Sequence, residues 1–223
     1  MRKIILAISL ILSSQVDAAK ISSGMPCAEP TMQAQRSQEL ERILKADQDD
    51  RRWQKDGKQP TVQILNKMSR NDLRRRKRIG QIFGEGCLKS AADYEAAFTV
   101  FQHGNTSDQY FQAFIWAKQA VALGKIHMKS EVAMSIDRYL VSIDHKQLFG
   151  TQAFQEKLGS CWCIRPVEET FPQTLRDEYR GGELTQYTGL DYLKVLNTDK
   201  SCSTSYCAQN LQPSPQGTVP GFW

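Results

Sequence analysis

At a handful of places in this sequence, groups able to do chemistry interrupt an otherwise apolar pattern. Leu40 and Leu44 share one stripe of a helical repeat, and the same 4, 3, 4 spacing continues into Asp47 and Arg51, with Gln48 adjoining. A carboxylate and a guanidinium therefore follow two leucines inward. Asp137 and Arg138 are the only charged residues between Glu131 and Asp144, in a segment otherwise fit for burial. Buried charges cost several kcal/mol unless they find partners, so both must meet something. His103 closes an apolar run that reaches back to Ala91, and Gly104 follows it. An imidazole at a helix C-terminus is placed to act as an acid or a base. Gln147, Thr151 and Gln152 around Gly150 supply amide and hydroxyl groups just after the Asp137 segment.

Two chemistries fit these residues. In the first, Arg51 and Arg138 clamp an anionic group of a small polar ligand or a partner segment, and Gln152 orients it. In the second, His103 is the general base of a hydrolase, Asp137 orients it or shares its proton, and Arg138 stabilises developing negative charge. A third reading needs no ligand: Asp47 with Arg51 is an ordinary i,i+4 helix pair, and Asp137 with Arg138 belongs to an internal charge network of a scaffold. The chain lacks a Gly-x-Ser-x-Gly elbow, a His-Glu-x-x-His pair, a Gly-x4-Gly-Lys loop and a Gly-x-Gly-x-x-Gly turn, so the common hydrolase, zinc-protease and nucleotide readings have no support. With only His103, His127 and His145, and cysteines expected to be oxidised, no metal and no cofactor are expected.

The 223 residues carry a formal net charge of +5, and their one dense basic run is Arg74, Arg75, Arg76, Lys77 and Arg78. On a helix these five point around more than half the circumference. The run reads as a solvated face, with contact to an anionic surface such as lipid or cell-wall polymer as the alternative; no nucleic-acid partner is expected.

Arg2 and Lys3 precede the apolar run Ile4 to Leu12, then polar residues and Val16-Asp17-Ala18. This is the pattern of a secretory signal peptide cleaved near Ala18, too short in its apolar part to span a bilayer. The expected product is exported, periplasmic or secreted, with no membrane span in the mature chain. Cys27, Cys87, Cys161, Cys163, Cys202 and Cys207 all follow the leader, and an even number in an oxidising compartment favours three disulfides. Cys202 and Cys207 could close locally. Cys161 and Cys163 are too near each other for an unstrained bond and should reach different partners.

The elements that must position these groups are helices. Residues 1–18 read as the leader, 19–30 as an irregular lead-in, 31–209 as one mainly helical domain and 210–223 as a loose tail. Helical spacing runs from Thr31 to Trp53, and a charged helix runs from about Ser69 to Phe83, stopped by Gly84-Glu85-Gly86. Three largely apolar helices follow: Ala91 to Gln102, Asp108 to Leu123, and a segment capped by Ser130 that ends near Ile143. Helices apolar on every side belong inside a bundle, so these three are the expected core. After Gly150, Cys161 to Ile164 suggests one short hairpin; Thr174 to Tyr179 and Gly189 to Leu196 suggest short helices.

Taken in order, Gln102-His103-Gly104, Asp108-Gln109-Tyr110, the stretch AKQAVALG from Ala117 to Gly124, Ile136-Asp137-Arg138-Tyr139-Leu140 and Gln147-Leu148-Phe149-Gly150-Thr151-Gln152 resemble a bacterial domain-of-unknown-function family. That family is often exported and shows QHG, LDRYL-like and Q-x-(F/Y)-GTQ motifs. Asp47-Gln48 and Arg51 resemble its N-terminal polar motif, and the resemblance covers roughly residues 40–196. It carries over motif positions and no reaction, and it implies that His103, Asp137, Arg138 and Gln152 belong to one site. Six cysteines and the basic second helix depart from the family pattern.

Overall fold

The computed structural model describes residues 26–54, 60–156, 160–179, 193, 196–197, 202 and 206–223. The leader, the start of the lead-in and most of the segment Gly189 to Leu196 lie outside the described residues. Six α-helices and one two-stranded sheet appear in them: α1 (Pro30–Asp50), α2 (Val62–Gly84), α3 (Ala91–Gln102), α4 (Ser107–Ala122), α5 (Lys129–Ser142), β1 (Ala153–Gln155), β2 (Trp162–Ile164) and α6 (Gln173–Tyr179). The protein is thus mainly α with a short β element, the class its periodicity implies. No helix of the described residues is long and apolar enough to cross a membrane.

Helix starts follow local chemistry. Proline occupies the first turn of α1, where its missing N–H is not needed. Thr61 caps α2 and Thr106 caps α4 through side-chain oxygens, while Ser90 and Asp93 form a reciprocal capping box at α3. Thr61 starts α2 well before the expected Ser69. Ser130 is not the cap of α5: it lies inside the first turn and donates to the His127 carbonyl, and Met128 takes the cap position.

The core lies where α3, α4 and α5 meet and extends onto α1 and α2. Ala96, Ala97, Val100, Ala113, Phe114, Ala117, Ala120, Val132, Ala133, Ile136 and Leu140 are buried in it. The alanines let backbones approach closely, and each large side chain buried beside them contributes about 1.5–3 kcal/mol. β1 and β2 pair antiparallel, Phe154 opposite Cys163.

The ends are tied down more firmly than the sequence suggests. Cys27 joins Cys87, Cys161 joins Cys202 and Cys163 joins Cys207. The neighbours Cys161 and Cys163 do reach different partners, but Cys202 and Cys207 do not close locally, because Cys207 is drawn to β2 by the hydrogen bond from its N–H to the Ile164 carbonyl. The stretch 210–223 is not a loose tail either. Val219 is buried, and Phe222 and Trp223 pack on the core against Phe114, Phe149 and Phe171, with edge-on ring contacts such as Phe171 to Trp223 at 5.0 Å. Prolines and glycines there end regular structure without preventing its aromatic end from packing, partly buried, on the core.

Candidate functional site

Helix α3 ends where four other helices arrive. Its last carbonyls have no partner within the helix, as at any helix C-terminus. Three consecutive carbonyls, at its last residue and the two that follow, are taken by side chains from three different helices: Arg138 of α5 donates Nη1–H to the Gln102 carbonyl at 2.8 Å, Arg76 of α2 donates Nη1–H to the His103 carbonyl at 3.1 Å, and Tyr110 of α4 donates its hydroxyl to the Gly104 carbonyl at 2.9 Å. From α1, the buried Asp47 carboxylate accepts from His103 Nδ1 at 2.9 Å. That contact engages Nδ1 and leaves Nε2 without a partner among the described residues, on a side chain 26% exposed. Gly104 is required beside it: an added Cβ would lie 2.5 Å from Gln109 Oε1 and 2.8 Å from the Phe101 carbonyl.

Behind His103 stands a charge network between α1 and α2. Arg51 donates to Asp47 at 2.9 Å and to Asp72 at 2.7 Å; Arg75 donates to Asp72 at 3.0 Å and also pairs with Asp50, which accepts from Asn71 as well. The guanidinium of Arg51 is thus engaged by carboxylates, so it is not a free clamp for a ligand. Gln48 donates to Asp47 Oδ2 at 3.0 Å and otherwise faces solvent. Burial opposes ionisation of Asp50, but its hydrogen bonds from Arg75 and Asn71 hold its pKa below the ordinary value.

Arg76 and Arg138 are in a different situation. Neither has a carboxylate partner among the described residues. Arg138 Nε donates to Gln152 Oε1 at 3.2 Å and its guanidinium lies 5.9 Å from the Tyr110 ring centre. Burial without a counter-charge pulls its pKa down. The C-terminus of α3 offers only about half an elementary charge against these two full ones. Polar capacity is also unused here. Gln102 is 3% exposed with both ends of its side-chain amide unpartnered, and Arg76, 9% exposed, leaves Nε without an acceptor.

Asp137 goes elsewhere. Fully buried in α5, it accepts from the backbone N–H of Leu148, Phe149 and Thr151 at 2.8, 3.0 and 2.9 Å, and from the Thr151 hydroxyl at 2.9 Å. Burial pushes its carboxyl pKa up, against the pull of these donors. It is the clasp that folds the loop after α5 back onto its own helix, with Gly150 turning through φ 76°. Gln147 completes the clasp, accepting from the Gln152 N–H at 2.8 Å and donating to the Arg165 carbonyl at 2.7 Å. No contact joins Asp137 to His103; the carboxylate on the imidazole is Asp47. The clasp still serves the site, because it presents Gln152 to Arg138, which itself reaches the end of α3.

Of the residues singled out in the sequence, the structure gathers Asp47, Arg51, His103, Arg138 and Gln152 around the α3 terminus and puts Asp137, Gln147 and Thr151 into the supporting loop. Arg76, Gln102, Tyr110 and Asp72 were missed. A signal for two of them existed: Asp72, Arg76, Ile79 and Ile82 form the buried stripe of α2 at spacings of 4, 3 and 3. The basic run is not one surface. Arg75, Arg76 and Arg78 turn inward to Asp72, the His103 carbonyl and Glu39, while Arg74 and Lys77 stay exposed, because adjacent helix positions are 100° apart. Among the described residues no group of three His, Cys, Asp or Glu side chains could hold a metal ion. No family model, curated protein or solved structure matches the chain.

Proposed function

We propose that the end of α3 is the binding site of an exported helical protein for a small ligand bearing an anionic group, a carboxylate or a phosphate. The observation that carries this reading is the unused capacity there: the buried, unpartnered Gln102 amide and Arg76 Nε, beside two guanidiniums without a carboxylate. A bound anion would supply the missing acceptors, and His103 Nε2 would meet it from the exposed side. Export is supported by the leader pattern and by three disulfides, which persist in oxidising compartments. The motif resemblance supports grouping His103, Arg138 and Gln152 in one site.

The test is thermal unfolding in inorganic phosphate, sulfate, acetate and citrate at matched ionic strength. An anion that binds the folded state at 100 times its dissociation constant adds about 2.7 kcal/mol of stability. The expected result is a rise in Tm with at least one anion, abolished in Arg138→Gln and in Arg76→Gln. Absence of any anion-specific rise, or a rise that persists in both variants, overturns the proposal.

A second reading rests on the contact between Asp47 and His103. A buried carboxylate that fixes the imidazole tautomer is the arrangement of a general base, which would make the site hydrolytic with Asp47 in the orienting role. In that case His103→Gln abolishes turnover of a bound ester or phosphoester while leaving its affinity within a few-fold. Equal loss of affinity and turnover returns the site to simple binding.

A further inference from the structure

Helix α2 outruns the helix it packs on. Its antiparallel contact with α1 is fixed by ion pairs from Arg78 and Glu39 to Arg75 and Asp50, and it ends where Asp50 accepts from Asn71. Beyond that point α2 continues from Arg70 back to Val62, about 13 Å at 1.5 Å per residue. Over this overhang every residue except Met68 is exposed.

The solvent side of α2 is uniform in charge. Lys67, Arg70, Arg74 and Lys77 recur at spacings of 3, 4 and 3, which aligns them in one row along the helix. All four are exposed, and none forms an ion pair among the described residues; Arg74 bonds only to the uncharged Asn71. The sole acid in α2 is Asp72, turned away into the contact with α1. Two large apolar side chains stand beside the row, Val62 at 68% and Leu73 at 48% exposure.

We infer that this face of α2 docks on an anionic lipid surface. A row of cations without acids fits a layer of phosphate headgroups, and apolar side chains next to it gain by entering the interface between headgroups and acyl chains. A nucleic acid or another soluble polyanion would satisfy the cations and leave Val62 and Leu73 with nothing to meet. Arg74 and Lys77 are the members of the run at 74–78 that stay exposed, Lys67 and Arg70 lie outside it, and none of the four belongs to the site at the end of α3.

The experiment uses the full chain with Asn66→Cys, an exposed position in the overhang, labelled with an environment-sensitive fluorophore; the native cysteines are all paired in disulfides. Vesicles of phosphatidylcholine with 30% phosphatidylglycerol are compared with phosphatidylcholine alone and with polyphosphate. The label sits on α2, so it reports this helix and not the apolar segment near the N-terminus. The expected result is a blue-shifted, brighter label on the anionic vesicles, reversed by about 0.5 M salt. With each cation contributing roughly fivefold in affinity, Lys67→Glu with Arg70→Glu should weaken binding at least about twentyfold. Val62→Ser with Leu73→Ser should weaken it a few-fold. No response on anionic vesicles, an equal response on neutral ones, an unchanged response in the charge-reversed variant, or a response to polyphosphate without one to vesicles would each overturn the inference.

Discussion

Two buried aspartates show how differently one side chain can be used. Asp137 is surrounded by neutral donors, three backbone N–H groups and a hydroxyl, with none left over. Asp47 is held by charged and titratable partners, Arg51 and His103, at the α3 terminus, where Gln102 and Arg76 keep side-chain atoms without partners among the described residues. The first arrangement is complete and fixes the path of the chain. The second leaves polar atoms of Gln102 and Arg76 unused, and the proposed binding site rests on them. Burial alone therefore does not mark a site; unused hydrogen-bonding capacity next to unpaired charge does.

The comparison can be broken by substitution, and the largest effect belongs to the saturated aspartate. Asp137→Ala leaves several donors buried and unpaired, and we expect a loss of at least about 3 kcal/mol in chemical denaturation. A loss under about 1 kcal/mol would mean the loop does not depend on its clasp. Asp47→Asn keeps the shape and weakens two charge-assisted bonds, so about 2 kcal/mol is expected, with Asp72 still pairing Arg51. Gln102→Met should have the smallest effect and the opposite sign, from no change to about 1 kcal/mol of stabilisation, since it removes unpaired polar atoms and keeps the volume. The same variant should lose anion-dependent stabilisation. If Gln102→Met is strongly destabilising, the amide is already satisfied and the site reading fails.

Acidification sharpens the contrast further. Arg78 holds the Glu39 pKa below its ordinary value through their hydrogen bonds, and Asp50 is lowered by Arg75 and Asn71 against the cost of burial. A carboxylate whose folded pKa is depressed contributes stability that is present above its unfolded pKa and is lost as pH falls through the folded one. Stability should therefore decline below about pH 4, the ordinary range of these groups. Glu39→Gln should flatten that decline in a series of denaturation curves, and an unchanged slope would remove Glu39 from the account.

Much of the fold was legible because helix periodicity and caps are local. Gly104 and the apolar run before it placed His103 at a helix end, and the interrupted apolar face of α5 marked Asp137 and Arg138 as needing partners. Which partners they take was not legible. Asp137 and Arg138 are adjacent in sequence yet 100° apart on the helix, so one turns to the loop at 148–151 and the other to the end of α3. The five basic residues at 74–78 separate for the same reason. The packing of the tail was not legible because proline and glycine report on regular structure and not on burial, and the aromatic pair at its end is partly buried against rings brought in from α4, α6 and the loops before α6.

The helical class, most helix ends and the pool of charged residues that could not stand alone follow from spacing within a few turns, although the start of α2 and the cap of α5 do not fall where that spacing put them. That Asp47 and not Asp137 meets His103, that Arg51 is occupied while Arg76 and Arg138 have no carboxylate among the described residues, and how the cysteines pair were settled by tertiary packing. Those outcomes depend on which helix ends converge, and no local pattern encodes the distance between residues brought together from α1, α2, α3 and α5.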